Sequence, residues 1–148
     1  MLLESPCSIA RSVGVLGERW TFLILREASF GVTHFSRFRE SLGVAPDVLS
    51  DRLNTLVEYG VMERVPYQES GARSREAYEL TEAGRELAVV LGALQQWGDT
   101  HLPRPEGPTV VRRSRRSGRP LRVGFIDDRG REVPLDDVAF ERTAAYPA

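Results

Sequence analysis

Before residue 60, apolar residues recur at helical spacing in four separate stretches. Ser5 and Pro6, an N-cap and first-turn proline pair, precede Ile9, Ala10, Val13 and Leu16, which predicts a first helix over 6–16 bracketed at its end by Gly14 and Gly17. Trp20, Phe22, Leu23, Ile24, Leu25 and Ala28 are apolar nearly all round, the pattern of a central helix buried on most sides. Thr33 is placed to cap a third helix with Phe35, Phe38 and Leu42 inward and His34, Ser36 and Arg37 outward, ended by Gly43. Pro46 then opens a fourth helix, with Leu49, Leu53, Leu56 and Val57 on its inner face and Gly60 at its close. The opposite face of that helix carries Asp47, Asp51, Asn54 and Glu58, flanked by Ser50 and Thr55.

Further on, the period shortens. Residues 62–67 and 77–80 read as strands, and the stretch 68–76 between them, with Gly71, Arg73 and Arg75, reads as a basic hairpin tip. Thr81 and Glu82 open what the pattern predicts as one long helix to about residue 101. Leu87, Leu91, Leu94 and Gly98 line one side of it, and Ala83, Val90 and Trp97 widen the stripe. A stripe broader than one small domain needs points to a partner chain. Pro103, Pro105, Gly107 and Pro108 mark a linker. The tail beyond it holds Arg112, Arg113, Arg115, Arg116 and Arg119. Residues 121–126, a turn at 127–130 and Val133 then predict a small hairpin, too short to stand alone in water and expected to dock on the main domain. The expected organisation is one domain over 1–102 and an appended linker, Arg-rich segment and β-hairpin tail over 103–148.

A chain of 148 residues buries one core of useful size. With no apolar run of membrane-spanning length and no basic-then-apolar N-terminus, the expectation is a cytoplasmic, nucleoid-associated protein. All 20 basic residues are Arg, which reads first as codon usage. Net charge is −1, but 10 Arg face 14 acids over 1–103 and 10 Arg face 7 acids over 104–148, so phosphate affinity in the first part must come from local clusters. The single cysteine, Cys7, excludes an internal disulfide and a cysteine-based metal cage. His34 and His101 lie far apart, and Asp99 with His101 have a spacing that no helix face presents together. Neither catalysis nor a metal or other cofactor is expected.

Two helices joined by a short turn, the second with a polar outer face, fit a helix-turn-helix entering the major groove of double-stranded DNA. The basic hairpin makes it a winged helix. Ser50 and Asn54 are the first candidates for reading base edges, with Asp51 able to accept from cytosine or simply to be a solvated acid. Arg37, Arg73 and Arg75 are the phosphate or minor-groove candidates, while Arg52 either meets DNA or braces the domain from beside the apolar stripe. Ser36, Pro46 and Thr55 complete the candidate contact set. Asp47 suits the helix dipole in the first turn.

The combination of Cys7-Ser8-Ile9-Ala10, Gly17-Glu18-Arg19-Trp20, Phe35-Ser36-Arg37-Phe38, Leu49-Ser50-Asp51-Arg52-Leu53, Tyr78-Glu79-Leu80-Thr81 and Gly84 resembles the HxlR-type winged-helix regulators over about residues 5–101. The resemblance implies a mainly α fold with a small β-hairpin wing, of the MarR-like winged helix-turn-helix kind, in a bacterial transcriptional regulator. It implies a homodimer built through the first helix and the helix 82–101, set on a palindromic operator. Ala45 stands where the family often has Ser, and Ser8 follows the cysteine where Pro is frequent; the wing tip lacks the usual prolines.

Cys7 matches the family's N-terminal cysteine and is a candidate redox sensor, with Arg11 one turn along; its alternative is a small apolar residue at the dimer interface. Trp20, Phe22 and Trp97 mark a candidate pocket for an unidentified small-molecule effector, or ordinary aromatic core. The acids Asp47, Asp51 and Glu58 keep open a second function class, a winged-helix module that binds protein rather than specific DNA.

Overall fold

Seven core side chains come from three successive helices between residues 19 and 58: Ile24, Leu25, Phe38, Leu49, Leu53 and Leu56 are fully buried, with Thr21 among them. The computed structural model describes residues 1–146 of the 148. After a short 3-10 turn at Leu2–Glu4 come α1 (Ser8–Leu16), α2 (Arg19–Ser29), α3 (Phe35–Leu42) and α4 (Pro46–Glu58). An antiparallel hairpin follows, β1 (Met62–Tyr67) with β2 (Arg75–Leu80), then α5 (Glu82–Glu86) and α6 (Ala88–His101). In the tail, β3 (Phe125–Ile126) pairs antiparallel with β4 (Glu132–Val133). The fold is mainly α with a hairpin wing, as the patterning predicts. No helix among the described residues is long and apolar enough to cross a membrane.

Several boundaries differ from expectation, each for a local reason. The first helix begins at Ser8, because Ser5 turns its hydroxyl to the amide of Cys7 (3.2 Å) and leaves Cys7 as the N-cap. Thr33 is not the cap of α3; His34 is, since the Thr33 carbonyl accepts from the Tyr78 amide (2.8 Å) and extends the wing instead. The central helix α2 buries Thr21, Ile24 and Leu25 but leaves Trp20, Phe22 and Leu23 half-buried, so it is less enclosed than its composition implies. The long helix over 82–101 is two helices. Leu87 adopts φ −65 and ψ −6, and its amide bonds the Gly84 carbonyl at 3.2 Å in a three-residue turn that interrupts the α pattern.

Contacts group the chain as two units, one over Met1–Leu87 with described residues 144–146, the other over Ala88–Thr143. In the first, α2 packs against α3 and α4, and α4 against β1. Met62 pairs with Leu80 and Tyr67 with Arg75, so the hairpin opens directly above the α4 end of the core. Its base is a knot of hydrogen bonds. The Thr81 hydroxyl shares its one proton between the carbonyls of Gly60 (2.6 Å) and Val61 (3.1 Å) and accepts from the Gly84 amide (3.1 Å), capping α5. Gly84 is buried against the Val61 carbonyl, where a Cβ would overlap that oxygen.

In the second unit the tail docks on α6 through glutamines. Gln96 exchanges two bonds of 2.9 Å with the backbone of Val123, and Gln95 accepts from Arg112 (2.8 Å) while donating to the Val110 carbonyl (2.5 Å). Gly92 is buried here, and a Cβ on it would lie 3.0 Å from the Val123 side chain. The sequence marks neither Gln95 nor Gln96 as an anchor, because amides within an apolar stripe carry no periodic signal. The turn 127–130 closes on Asp127, which accepts from the amides of Arg129 and Arg131 (2.9 Å each) and from the Arg131 guanidinium (3.0 Å).

Gly84→Ala is expected to destabilise the first unit by about 1–3 kcal/mol, the usual cost of overpacking, because the obstacle is backbone rather than a flexible side chain. A thermal unfolding midpoint unchanged from the native chain would contradict that account. In the tail, the Arg131 amide foremost, with the Arg129 amide and the Arg131 guanidinium, holds the Asp127 carboxyl below the usual range. A lowered folded-state pKa contributes stability that is present above the unfolded value of about 3.9 and lost as pH falls through the folded value. Protection of the Arg129 and Arg131 amides from hydrogen exchange, relative to their intrinsic rates at each pH, should therefore fall only below about pH 4, and Asp127→Asn should remove that step.

Candidate nucleic-acid interface

The turn between α3 and α4 depends on a left-handed residue. Gly43 has φ +63, and its amide bonds the Arg39 carbonyl (2.9 Å), ending α3 so that Val44 buries behind it. Ala45 then sits extended at the N-cap, and Pro46 occupies the first turn, where a missing N–H costs nothing. Asp47 lies in that same turn. With Leu49, Leu53 and Leu56 buried, the geometry of α4 fixes which side faces out.

On that outer side Asp47, Asp51, Asn54 and Glu58 are exposed, and Ser50 and Thr55 half-buried, as the helical pattern predicts. The Thr55 hydroxyl is committed to the Asp51 carbonyl (3.0 Å). Arg52 braces the domain: at 25% side-chain exposure it pairs with Glu18 (3.7 Å), the N-cap of α2, and with Asp51 (3.5 Å). In α3, Ser36 and Arg37 are exposed, and Arg37 pairs with Glu40 one turn on (3.0 Å). Arg39, exposed on the same helix, has no ion pair among the described residues.

The wing is tied to both helices. Its Tyr67 ring stacks on His34, the N-cap of α3, with centroids 4.1 Å apart and planes within 9°. Arg64 of β1 reaches the outer face of α4 and donates to Oδ1 of Asn54 at 2.6 Å. The same guanidinium pairs with Glu76 (3.5 Å) and lies 5.9 Å from the centre of the Tyr78 ring. Sequence reasoning does not single out Arg64, since an Arg in an alternating strand reads as solvated. Only the crossing of β1 over α4 brings it to Asn54. Arg73 is at the hairpin tip, but Arg75 is the first residue of β2, opposite Tyr67, so the strand starts two residues before its expected limit. Neither Arg makes an ion pair among the described residues.

The remaining candidates are scattered. Cys7 is half-buried at the start of α1, with the Arg11 guanidinium turned away to the Ser5 carbonyl (2.6 Å) and the Ser8 hydroxyl (3.1 Å). Trp20 has the Arg19 guanidinium 5.3 Å from its ring centre, and Phe22, two residues on and so on a different side of α2, is half-buried. Trp97 is 59% exposed on α6, its ring 5.0 Å from His101. A cavity of about 360 Å³ lies in the second unit, lined by Gln95, Asp99, Leu102, Arg104 and neighbouring linker residues, and none of those three aromatics contributes to it. No group of three or more metal-ligating side chains occurs among the described residues.

A helix, a glycine turn, a second helix with an exposed polar face, and a wing fastened to both is the arrangement that comparison with known proteins matches. The HxlR-like helix-turn-helix model covers residues 15–106. The chain belongs to the HxlR-like helix-turn-helix family. It is 50% identical over 111 residues to an uncharacterised HTH-type transcriptional regulator of Mycobacterium tuberculosis, a match spanning 75% of this chain and 69% of the relative. It resembles the crystal structure of PA1607, assigned as a transcription factor, with a TM-score of 0.81 at 36% identity over 95% of this chain and 98% of that one. PA1374 of Pseudomonas aeruginosa, assigned likewise, matches at a TM-score of 0.63 and 39% identity over 95% of each chain. The HxlR-like relatives are thus regulators of transcription rather than enzymes, and the family places this chain among DNA-binding regulators. The tail lies beyond the family model, yet both of these structural matches run through most of it.

Proposed function

We propose that this HxlR-like protein acts in the cytoplasm as a homodimeric, sequence-specific regulator on a palindromic operator. The observation that carries the proposal is the exposed polar face of α4 lying beside a wing whose Arg73 and Arg75 make no ion pair among the described residues. Ser50 and Asn54 read base edges in the major groove. Arg37, Arg39, Arg73 and Arg75 hold phosphates, helped by the Ser36 hydroxyl, with Pro46 and Thr55 offering only van der Waals surface to the DNA, while Arg52 with Asp51 fixes the helix rather than the DNA.

Dimerisation is supported by apolar surface on the two helices assigned to it. On α1, Ile9 and Val13 are exposed; on α6, Val89, Val90, Leu94 and Trp97 are exposed. A second copy covering these faces sets two α4 helices on one side of DNA, with half-sites about 34 Å apart or a multiple of that. Any small-molecule effector belongs beside the half-buried Trp20 and Phe22, or at Trp97, where apolar surface is still open. Cys7 is the candidate oxidant-responsive group, because oxidation of a half-buried thiol at the start of a dimer helix changes packing there.

Electrophoretic binding to the DNA upstream of its own gene, over a salt series, tests the proposal. Sequence-selective binding is expected, with log Kd rising with log salt and Arg73→Ala plus Arg75→Ala lowering that slope by about 0.9 for each phosphate left without its arginine. Binding with no sequence selectivity and no salt dependence would instead favour a winged-helix protein-interaction module, which the acids on α4 also suit. Separately, mild oxidant should add mass at Cys7 or yield a disulfide-linked dimer and weaken DNA binding, with Cys7→Ser insensitive. An unmodified thiol removes the sensor role.

A further inference from the structure

The bond between Arg64 and Asn54 bears on which base the second helix reads. A guanidinium has donors only, so the Asn54 amide must turn its oxygen toward Arg64 and its NH₂ group away. A charge-assisted bond of 2.6 Å takes one lone pair of that oxygen. The other is flanked by the cation, which repels an incoming amino group.

Adenine recognition by an asparagine needs the amide as both acceptor, from N6, and donor, to N7. Held in this way, Asn54 keeps its donor free, while its acceptor is shared with a cation that disfavours a second incoming donor. Across the oxygen from that NH₂ group stand the N–H groups of Arg64 that Asn54 and Glu76 do not engage, so the pair together is rich in donors. Guanine is the base that presents two acceptors, N7 and O6, on its major-groove edge.

We infer that Arg64 is a specificity-determining residue, converting Asn54 from an adenine reader into one that selects guanine. The inference rests on the proposal that α4 enters the major groove. The wing is built to keep Arg64 in place: Glu76 takes its Nε edge (3.5 Å), the Tyr78 ring lies beneath it, and the Tyr67–His34 stack holds the strand end. A wing residue therefore sets the base preference of the helix next to it.

The test is selection from a randomised operator library with the full-length chain, followed by sequencing, for the native protein, Asn54→Ala, Arg64→Met and Arg64→Lys. Asn54→Ala should relax one base pair in each half-site, and the native chain should favour guanine there. Arg64→Met, which keeps the aliphatic cover on Tyr78 but frees the amide oxygen, should shift that position toward adenine by roughly fivefold to a hundredfold, the range of a good bidentate contact. Arg64→Lys retains a donor for Oδ1 and should keep guanine, which guards against a folding defect in the Met variant. Adenine preferred by the native chain, an unchanged preference in Arg64→Met, or no position relaxed by Asn54→Ala would each overturn the inference. Failure of the native chain to enrich any sequence would instead defeat the DNA-binding proposal on which it rests.

Discussion

Four elements meet at the carbonyls of Gly60 and Val61, and the geometry of the first unit follows from how those oxygens are satisfied. Both accept from the Thr81 hydroxyl, and Val61 also accepts from the Thr81 amide at 3.1 Å. The chain leaving α4 is thereby bonded to the chain leaving β2. Gly84 lets α5 approach the same point, and the Gly84 amide returns to the Thr81 oxygen. The carbonyl of the buried Val61, left unpaired, would cost about 1–3 kcal/mol. Closing this junction fixes the root of the wing relative to α4, and so fixes where the wing side chains come to lie.

From that root the wing extends over α4 with a defined register, and two side-chain contacts complete its attachment. Tyr67 against His34 joins the far end of β1 to the start of α3, and Arg64 joins its middle to α4. A backbone bond, from the Tyr78 amide to the Thr33 carbonyl, ties β2 to the segment entering α3. Helix, turn, helix and wing are thus linked through polar contacts at their outer edge as well as through the leucine core. Bending the wing alone would break contacts on both helices.

Much of this was legible in the sequence because it depends on periodicity and on residues with special backbone roles. The inner faces of α3 and α4, the turn at Gly43, Pro46 in the first turn, the extent of β1 and the Thr81 cap all follow from such signals. What was not legible depends on competition for a single backbone or side-chain group. Thr33 has the composition of a cap, but its carbonyl is claimed by the wing, and capping passes to His34. The helix over 82–101 has an unbroken apolar stripe, which says nothing of the turn at Leu87. Among the candidate site residues, Asn54 and Arg52 were visible by position, whereas their partners Arg64 and Glu18 come from elements ten or more residues away.

The acidity of the first part of the chain looks unfavourable for a DNA reader until its carboxylates are followed to their partners. Asp51 lies against Arg52, Glu76 against Arg64 and Glu40 against Arg37, so part of the negative charge near α3, α4 and the wing is already neutralised. The three pairs do not behave alike when DNA arrives. Arg37 and Glu40 are both about 70% exposed, and such pairs are worth at most about 1 kcal/mol, so a phosphate can take the guanidinium from the carboxylate at little cost. Arg52, at 25% exposure and shared between two acids on different elements, is held for structure. Arg64 is intermediate in exposure and bound to a carboxylate and to an amide together, which favours its acting in place, through Asn54, over swinging out to the backbone. Charge count alone would rank these arginines equally; their partners divide them into one that can move to phosphate, one that braces the fold, and one that shapes what the neighbouring side chain presents.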